Sequence, residues 1–362
     1  MINHRDKAGN TEINWPQFTR QIKDWCMELG FSGVGITDTD LAQAEQRLSQ
    51  WLDKNYHGEM GYMAKHGIRR TRPAELIPGT LRVISVRMDY LPEPMETSLE
   101  ALAQQRQGFI SRYALGRDYH KVIRNRLQKL AKYITDAAGA LGYRAFCDSA
   151  PVMEKALAEK AGLGWIGKHT NLLNRDAGSW FFLGELYVDL PLIQDTRVSS
   201  HCGSCSACID ICPTAAIVAP YELDAKRCIS YLTIELHGAI PVEFRKDMGN
   251  RIYGCDDCQL VCPWNRYATI SVEADFKIRH PLHNRSLVEL FKWDEATFLA
   301  RTEGSAIRRI GHLRWLRNIA VALGNAPTSG EIISALEARR QHGSEIVREH
   351  VHWALEQHVQ KH

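Results

Sequence analysis

The sequence has 362 residues, of which 44% are hydrophobic and 24% are charged, and its formal net charge is +3. These values are typical of a globular protein of two or three domains and argue against a long disordered chain. No run of about 18 apolar residues predicts a membrane-spanning helix, and the polar first residues do not resemble a secretory signal. We therefore expect a cytoplasmic protein that does not engage a membrane.

Residues 1–12 are predicted to be disordered, and a helix is predicted to begin at Pro16 and to stop at Gly30. Cys26 falls on the apolar face of this helix and is predicted to be a core residue. Strands and helices then alternate along the chain, which predicts an α/β domain over residues 1–195. The predicted strands are 31–36, 81–90, 144–148 and 179–189, and the predicted helices are 120–141, ended near Gly142, and 151–160.

A cysteine-rich module is predicted over residues 196–268, and helices are predicted after it at 313–323, 331–338 and 345–358. Their lengths and connecting turns favour stacked helical hairpins of the HEAT-like repeat type over residues 269–362. The complete prediction is an α+β/α architecture. It consists of the N-terminal α/β domain, a ferredoxin-like module for two [4Fe-4S] clusters, and a C-terminal helical-repeat region.

Eight of the ten cysteines lie between Cys202 and Cys262, and this clustering indicates metal binding. The first block runs Cys202-Gly-Ser-Cys205-Ser-Ala-Cys208-Ile-Asp-Ile-Cys212-Pro. This is the C-x2-C-x2-C-x3-C-P spacing of bacterial two-cluster ferredoxins, in which the fourth cysteine ligates the other cluster.

The second block, Cys255-Asp-Asp-Cys258-Gln-Leu-Val-Cys262-Pro, is the same pattern without its first cysteine, whose place is taken by Ile252. Each cube needs four ligands, and Cys228 is the cysteine that remains nearby. The pattern therefore assigns the eight cysteines to two clusters: Cys202, Cys205, Cys208 and Cys262 to cluster I, and Cys212, Cys228, Cys255 and Cys258 to cluster II.

Zinc is the alternative ligand of such cysteines, but its sites are typically paired C-x2-C knuckles separated by a longer loop. Three cysteines within seven residues, followed by a Cys-Pro pair, favour iron–sulfur cubes. Two adjacent cubes indicate one-electron steps and argue for redox chemistry or electron delivery rather than hydrolysis.

Asp148 is predicted at the end of a short strand, just before a helix. A carboxylate there is a candidate proton donor if burial raises its pKa, although from composition alone a helix N-cap is the preferred interpretation. The glycines of the turn 161–171 suit a close approach to a ligand or tight packing of the chain. Tyr119 and His120 are explained equally well as a structural pair at a helix start.

Four stretches resemble the epoxyqueuosine reductase family, the cobalamin-dependent iron–sulfur enzymes of queuosine tRNA modification. The resemblance extends from Gly61 to Asn325 and includes both cysteine blocks and the isolated Cys228. His169 is a small departure, because the family more often has GKN there. The matching stretches are GYMAKHGIRRTRP (61–73), SRYALGRDYHKV (111–122), DSAPVMEKALAEKAGLGWIGKHTNLL (148–173) and RWLRNIAVALGN (314–325).

The resemblance implies that cobalamin lies between the N-terminal domain and the cluster module, with cluster II nearest to the cobalt. It implies that the substrate is epoxyqueuosine at the wobble position of certain tRNAs, and that two-electron removal of the epoxide oxygen gives queuosine in the last step of its biosynthesis. Asp148 matches the family's proton donor. The candidate corrin contacts, which lie in matching segments or beside cluster II, are Tyr62, Tyr113, Lys168, Asn171 and Asp256.

A tRNA substrate requires positive surface, because phosphate contacts dominate affinity. The segment 301–325 carries one acid, Glu303, and five arginines, and a second basic patch lies at 69–72. The interpretation left open is a solvated helix face. The candidate tRNA-binding residues are Arg301, Arg308, Arg309, Arg314 and Arg317, with Arg69, Arg70 and Arg72. We also expect a monomer that receives electrons from a donor such as a flavodoxin or a ferredoxin.

Three other functions fit parts of the sequence. A reductive dehalogenase pairs similar clusters with cobalamin, but such enzymes typically carry an N-terminal twin-arginine signal, and the arginine pairs here, at 69–70 and 308–309, are internal. A non-catalytic electron-transfer protein would need the clusters and would bind no cobalamin. An iron–sulfur RNA-binding protein would bind tRNA and leave the epoxide intact.

Overall fold

A computed structural model describes residues 13–280, 282 and 284–360. The predicted disorder of residues 1–12 lies outside the described residues. The helices are α1 (Trp15–Glu28), α2 (Ala42–Asp53), α3 (Tyr62–Lys65), α4 (Pro73–Leu76), α5 (Met95–Ala103), α6 (Tyr119–Ala138), α7 (Glu154–Lys160), α8 (Ala207–Asp210), α9 (Ile229–Ile234), α10 (Val242–Arg245), α11 (Asp257–Leu260), α12 (Leu287–Phe291), α13 (Glu295–Arg301), α14 (Gly311–Asn325), α15 (Gly330–Glu337) and α16 (Glu345–Gln360). The strands are β1 (Gly33–Thr37), β2 (Arg82–Asp89), β3 (Phe109–Ile110), β4 (Tyr143–Phe146), β5 (Trp165–Ile166), β6 (Leu172–Leu173), β7 (Phe181–Val188), β8 (Ile217–Ala219), β9 (Glu222–Leu223) and β10 (Arg251–Tyr253).

The N-terminal half is built on a four-stranded sheet with the order β1-β2-β7-β4. All three strand pairings are antiparallel, so the α/β class predicted for residues 1–195 is wrong and the sheet is of the α+β type. The alternation of strands and helices along the chain does not fix strand direction. In addition, β7 is buried along its whole length, and its apolar sequence therefore has the pattern of a strand in a covered parallel sheet.

Helices cover both faces of this sheet. On one face, α1 and α6 pack against Ile84 and Leu186, and Cys26 of α1 lies in that core with no exposed surface, which confirms its predicted place. On the other face, α7 packs against β2 and β7, where Val83 and Tyr187 form a smaller core with it. Helix α6 ends at Ala138 and is capped by Gly139, whose φ of +87° suits glycine, three residues before the predicted stop.

The cluster module and the C-terminal helices share one hydrophobic core. Ile229 and Ile252 of the module pack in the same cluster of buried side chains as Leu290, Trp315 and Val351. The predicted boundary between residues 268 and 269 therefore does not separate two cores. Strand β10 also pairs in parallel with β3, which joins the module to the N-terminal half.

The three predicted C-terminal helices are confirmed as α14, α15 and α16, and α14 packs against the other two and against α12. Their assignment to a HEAT-like repeat stays a prediction. Within the described ranges, none of the helices is long and apolar enough to cross a membrane.

Candidate active site and cluster ligands

The structure brings the first predicted cysteine set together. Cys202, Cys205, Cys208 and Cys262 line one cavity of about 270 Å³. Three come from the loop and first turn around α8, and Cys262 follows α11, which packs against α8. Among the described residues, no three His, Cys, Asp or Glu side chains are arranged to hold a single metal ion. The four cysteines line the same cavity, as the predicted ligand set of cluster I requires.

The second predicted cysteine set is also gathered at one place. Burial raises the pKa of Cys258, and the nearby thiols of Cys228 and Cys212 raise it further. The pKa of Cys255 is also raised by burial, and the nearby thiol of Cys228 adds to this effect. Cys228 therefore lies near Cys255 as well as Cys258. Ile252, which occupies the place of the missing cysteine, is fully buried in the shared core. It therefore has a packing role there.

Asp148 lies two residues beyond β4 in a backbone conformation with φ of +47°. Its Oδ2 accepts a hydrogen bond from the Tyr119 hydroxyl at 2.5 Å and lies 3.1 Å from His120 Nε2. The N-cap of α7 is Met153, so the alternative interpretation of Asp148 as a helix cap is wrong. The Asp148 side chain is 42% exposed and can therefore be reached by a ligand.

The charge of this site is set by the pair of Asp148 and His120. Burial would raise the pKa of Asp148, but hydrogen bonds from His120 and Tyr119 outweigh it and hold that pKa below its ordinary value. Burial would lower the pKa of His120, but bonds to Asp118 and Asp148 raise it to about 9. The condition that burial raises the Asp148 pKa is therefore not met. At neutral pH the pair's proton resides on the imidazole.

Tyr119 and His120 are functional candidates that the sequence did not separate from a structural pair. Asp118 caps the start of α6, and its carboxylate lies 2.7 Å from His120 Nδ1. The second ring nitrogen is thereby directed at Asp148. The sequence signal was an aspartate two residues before a histidine at a helix start, which favours this local hydrogen bond.

Lys155 connects the Asp148 site with the second cysteine set. Burial lowers its pKa, and the charges of Glu154, Asp148 and Cys258 oppose that effect, so this lysine lies within electrostatic range of both the acid and the second cysteine set. Its ammonium donates to the carbonyl oxygen of Thr170 at 2.9 Å. The turn that contains Thr170 is therefore held to Lys155.

Three of the five predicted corrin contacts lie around this region. Tyr62 is 46% exposed in α3. The charge of Arg309 lowers the pKa of its hydroxyl and the charge of Asp148 raises it, so both residues lie near Tyr62. Tyr113 is half-buried and packs edge-on against Tyr119, with ring centroids 6.2 Å apart. Asn171 is half-buried and follows Thr170 in the turn.

The other two predicted contacts support the protein instead. The ammonium of Lys168 donates to the carbonyl oxygens of Gly203 and Cys205, each at 2.8 Å, and so holds the loop of the first cysteine set. Asp256 is 1% exposed, and its oxygens accept from the Ser111 hydroxyl at 2.5 Å and the Arg112 amide at 2.8 Å. Asp256 is therefore enclosed, whereas Lys168 lines the cavity of the first cysteine set.

The glycine-rich turn is explained by packing of the chain against itself. A Cβ added at Gly164 would lie 2.0 Å from the carbonyl oxygen of Leu173. At Gly162, where φ is +78°, it would lie 2.5 Å from the carbonyl oxygen of Thr196. Of the two interpretations of this turn, tight packing is therefore the one that these contacts support.

The predicted basic patches are only partly on the surface. Arg317 is fully buried and Arg70 is 6% exposed, and Arg314 donates to the carbonyl oxygens of Ile310, Ile234 and Arg309. The patch prediction is therefore wrong for Arg317 and Arg70. The exposed members are Arg301, Arg308, Arg309, Arg69 and Arg72, and of these Arg72 pairs with Glu45 and Arg309 with Glu235.

Arg317→Leu is expected to reduce the free energy of unfolding by about 3 kcal/mol or more, because a buried ion's hydrogen bonds to carbonyl groups are lost. The guanidinium donates to the carbonyl oxygens of Leu232, Leu236 and Gly238. Chemical denaturation measures the change, and Arg308→Leu at an exposed position is the control. If Arg317→Leu left the stability unchanged and weakened tRNA binding, Arg317 would be a tRNA contact after all.

Two adjoining cysteine sets and an accessible carboxylate paired with an imidazole define an iron–sulfur oxidoreductase. Residues 201–265 match the 4Fe-4S double cluster binding domain, and residues 70–149 match the model described as epoxyqueuosine reductase QueG, DUF1730. The chain is 62% identical over 343 residues to the epoxyqueuosine reductase of Pseudomonas aeruginosa, with 94% of this chain and 95% of that protein covered. The chain therefore belongs to the epoxyqueuosine reductase family.

Solved structures agree with this membership. The epoxyqueuosine reductase of Streptococcus thermophilus is 28% identical, with a TM-score of 0.85 over 96% of this chain and 91% of that one. A crystal structure of epoxyqueuosine reductase with an epoxyqueuosine-modified tRNA-Tyr stem loop shares the fold at 24% identity, with a TM-score of 0.81 over 95% and 99% of the chains. The resemblance in the sequence is thereby confirmed, and a reductase is favoured over the three alternatives.

Proposed function

We propose that the chain reduces epoxyqueuosine at the tRNA wobble position to queuosine, with two electrons delivered through two [4Fe-4S] clusters. The observation that carries this proposal is the accessible Asp148, which is hydrogen-bonded by Tyr119 and lies beside His120. The charges of both this acid and Cys258 of the second cysteine set act on the pKa of Lys155. The chain, which belongs to this family, thus has a candidate proton donor near a candidate route for electrons.

The cysteines fit two cubes with the ligand sets that the spacing assigns. The first set surrounds a cavity. In the second set, Cys212 Sγ accepts a hydrogen bond from the Ala216 amide at 3.2 Å, and backbone amides of Ser230 and Tyr231 donate to Cys228. Amide hydrogen bonds to ligand sulfurs are one means by which proteins tune the potential of such clusters.

Cobalamin is the second cofactor of this family, and the residues around Asp148 fit it. Exposed Tyr62, half-buried Tyr113 and the turn at Asn171 supply aromatic and polar groups near the acid and its partners. These three residues would hold the corrin, while Lys168 and Asp256 would support it through the loops that they fix. When bound, cobalamin supplies the reductant for the epoxide carbon.

The part of Asp148 is to protonate the epoxide oxygen as its bond to carbon breaks, because an alkoxide is a poor leaving group. Both partners of Asp148 approach Oδ2, which leaves Oδ1 to face the substrate. The proton that His120 holds at neutral pH passes to Asp148 and from it to the oxygen. Tyr119 keeps the carboxylate oriented during this transfer.

The decisive experiment is anaerobic reconstitution of the chain with iron, sulfide and cobalamin, followed by incubation with a chemical reductant and epoxyqueuosine-containing tRNA. Mass analysis of the nucleosides is expected to show queuosine, which has one oxygen fewer. Full reduction of both clusters with no loss of epoxyqueuosine would contradict the proposal. Omission of cobalamin is the control and is expected to abolish conversion.

The tRNA is proposed to bind over the crevice that Arg309 and Tyr62 border. The charges of Arg309 and Asp148 both affect the pKa of the Tyr62 hydroxyl, so the three residues lie near one another. Exposed Arg308 is next to Arg309 in the sequence, and exposed Arg69 follows Tyr62 by seven residues. These two arginines are therefore proposed to contact the phosphates of the anticodon stem loop. The wobble nucleotide would leave its stack to reach Asp148, as enzymes that modify bases require.

Arg69→Glu and Arg308→Glu are each expected to weaken tRNA binding several-fold and to reduce the slope of log affinity against log salt by about one. Filter binding at several salt concentrations measures both quantities. Arg20→Glu, an exposed charge reversal on α1, is the matched control. If all three variants bound tRNA with the same affinity at low salt, Arg69 and Arg308 would not be part of the tRNA-binding site.

Electrons are proposed to enter at cluster I, because Cys205 is exposed whereas the cluster II cysteines are half-buried. A small one-electron carrier of the flavodoxin or ferredoxin type suits this entry. The monomeric state expected from the sequence stays a prediction.

A further inference from the structure

Two carboxyl groups behind Asp148 have no part in the steps described so far. Glu154, the first residue of α7, accepts a hydrogen bond at Oε2 from the backbone amide of Asp148 at 3.0 Å. Glu185 lies near the middle of β7, opposite Ser85 on β2 and Phe146 on β4. Side chains alternate along a strand, so Glu185 shares the sheet face of Tyr187, which packs against α7.

The surroundings of Glu185 keep it neutral. The side chain has no exposed surface, and its Oε1 accepts only a long hydrogen bond from the Ser85 hydroxyl at 3.4 Å. Its Oε2 has no hydrogen-bond partner within the described part of the chain. An unpaired buried carboxylate is too costly to persist, and burial, with the nearby charges of Glu154 and Asp148, raises the pKa of Glu185 well above its ordinary value.

Glu154 lies between this neutral acid and the Asp148 site. Burial raises its pKa to about 7, and the charge of Asp148 adds to that effect. The Asp148 amide, Lys155 on its own helix and His120 on α6 oppose it, and Glu185 faces it from β7. At neutral pH, Glu154 can therefore both hold a proton and release it.

The stoichiometry of the proposed reaction requires more protons than one acid delivers. Conversion of an epoxide to an alkene and water breaks two C–O bonds and forms one C=C π bond and two O–H bonds. The two electrons come from the clusters, and two protons must reach the oxygen. One proton resides on the Asp148–His120 pair, so the pair must be recharged before the oxygen leaves as water.

We propose that Glu154, backed by the neutral Glu185, stores the second proton and returns it to the Asp148–His120 pair during turnover. This inference rests on the proposed function. Glu154 acts through Asp148 and is a positioning and proton-storing residue, because its contact is with the Asp148 backbone. Glu185 keeps a proton next to Glu154 after that residue has given up its own.

Glu154→Gln separates proton storage from positioning, because the amide oxygen still accepts from the Asp148 backbone while the side chain no longer titrates. We expect kcat to fall about tenfold to a hundredfold, within the range of a proton-transfer defect. In the parent chain, kcat should fall as pH rises through about 7, as Glu154 loses its proton. The variant should lack this step and decline only as His120 deprotonates, at about 9.

Glu159→Gln is the matched control. Glu159 lies on the same helix, and its carboxylate accepts from the Ile166 amide at 2.8 Å, away from the acid cluster. This variant should keep the pH step. A Glu154→Gln chain that retains the step near pH 7 overturns the inference, whereas failure of the parent chain to convert the epoxide overturns the proposed function instead.

A measurement without tRNA keeps the inference testable if the variant folds poorly. Infrared difference spectra of the parent holoenzyme, recorded across the pH range that spans the ordinary and elevated carboxyl pKa values, should show a buried carboxylic acid band that titrates near 7. Glu185→Gln should shift the midpoint of this band, because Glu185 is its neighbour. Absence of any such band in the parent chain overturns the inference.

Discussion

Asp148→Asn is expected to retain both clusters and cobalamin and to turn over at least about a hundredfold more slowly, which is the usual loss when a general acid is removed. The amide is nearly isosteric and can still accept from the Tyr119 hydroxyl, so the loop after β4 should keep its conformation. It cannot pass a proton from His120 to the epoxide oxygen. Single-turnover conversion of epoxyqueuosine, with iron and cobalamin contents measured on the same sample, tests this expectation.

A matched control is available on α6. Asp136 is 60% exposed and pairs with Lys132 at 2.7 Å, so Asp136→Asn changes the same chemical group away from the site and should keep full activity. If Asp148→Asn also keeps full activity, another acid protonates the oxygen. The position of His120 would make that residue the first alternative, and His120→Gln would then be the variant with the large loss.

The gathering of the cysteines could be predicted from the sequence because most of their spacing is local. Three cysteines within seven residues must lie on one turn of chain, and the structure places them around one cavity together with Cys262. The gap at Ile252 pointed to Cys228 by the same reasoning, and the structure brings Cys228 next to Cys258. In both cases, ligand chemistry constrains residue types more strongly than the fold does.

The proton-transfer site could be predicted only in part, because its members meet through strand pairing. Asp148 follows β4 and Glu185 lies on β7, and the antiparallel pairing of these strands brings the two acids near each other. His120 lies in the first turn of α6, which packs against both strands. The sequence indicated the strands but not their directions. It also could not show that hydrogen bonds from His120 and Tyr119 lower the Asp148 pKa against the effect of burial.

The arginines show where a charge pattern fails to predict a surface. Arg317 lies on α14, whose residues from Trp315 to Gly324 are all buried, so its charge is enclosed by the shared core and satisfied by carbonyl groups. The apolar run that follows it, residues 319–323, was the available signal. The role of Lys168 and Asp256 as corrin contacts stays a prediction, because side-chain direction depends on tertiary packing and both side chains hold loops.

Cys228→Ala is expected to lower the iron content from about eight to about four atoms per chain, because a cube that has lost one of four cysteine ligands is not retained. Cys228 lies at the N-terminus of α9, where the amides of Ser230 and Tyr231 donate to its sulfur. The two cysteines outside the module, Cys147 and Cys26, are buried in the N-terminal half and are not placed to replace it.

The variant should also separate electron entry from turnover. Cluster I keeps its own four cysteines in this variant, so it should still be reduced by a chemical reductant, while epoxide conversion is abolished because the cluster beside Lys155 and Asp148 is missing. Iron analysis and electron paramagnetic resonance of the reduced protein measure the first part. Cys26→Ala, a change at a buried cysteine outside the module, should keep about eight irons. An intact second cluster in Cys228→Ala would mean that the ligand set is wrong, and with it the route from cluster II to Asp148.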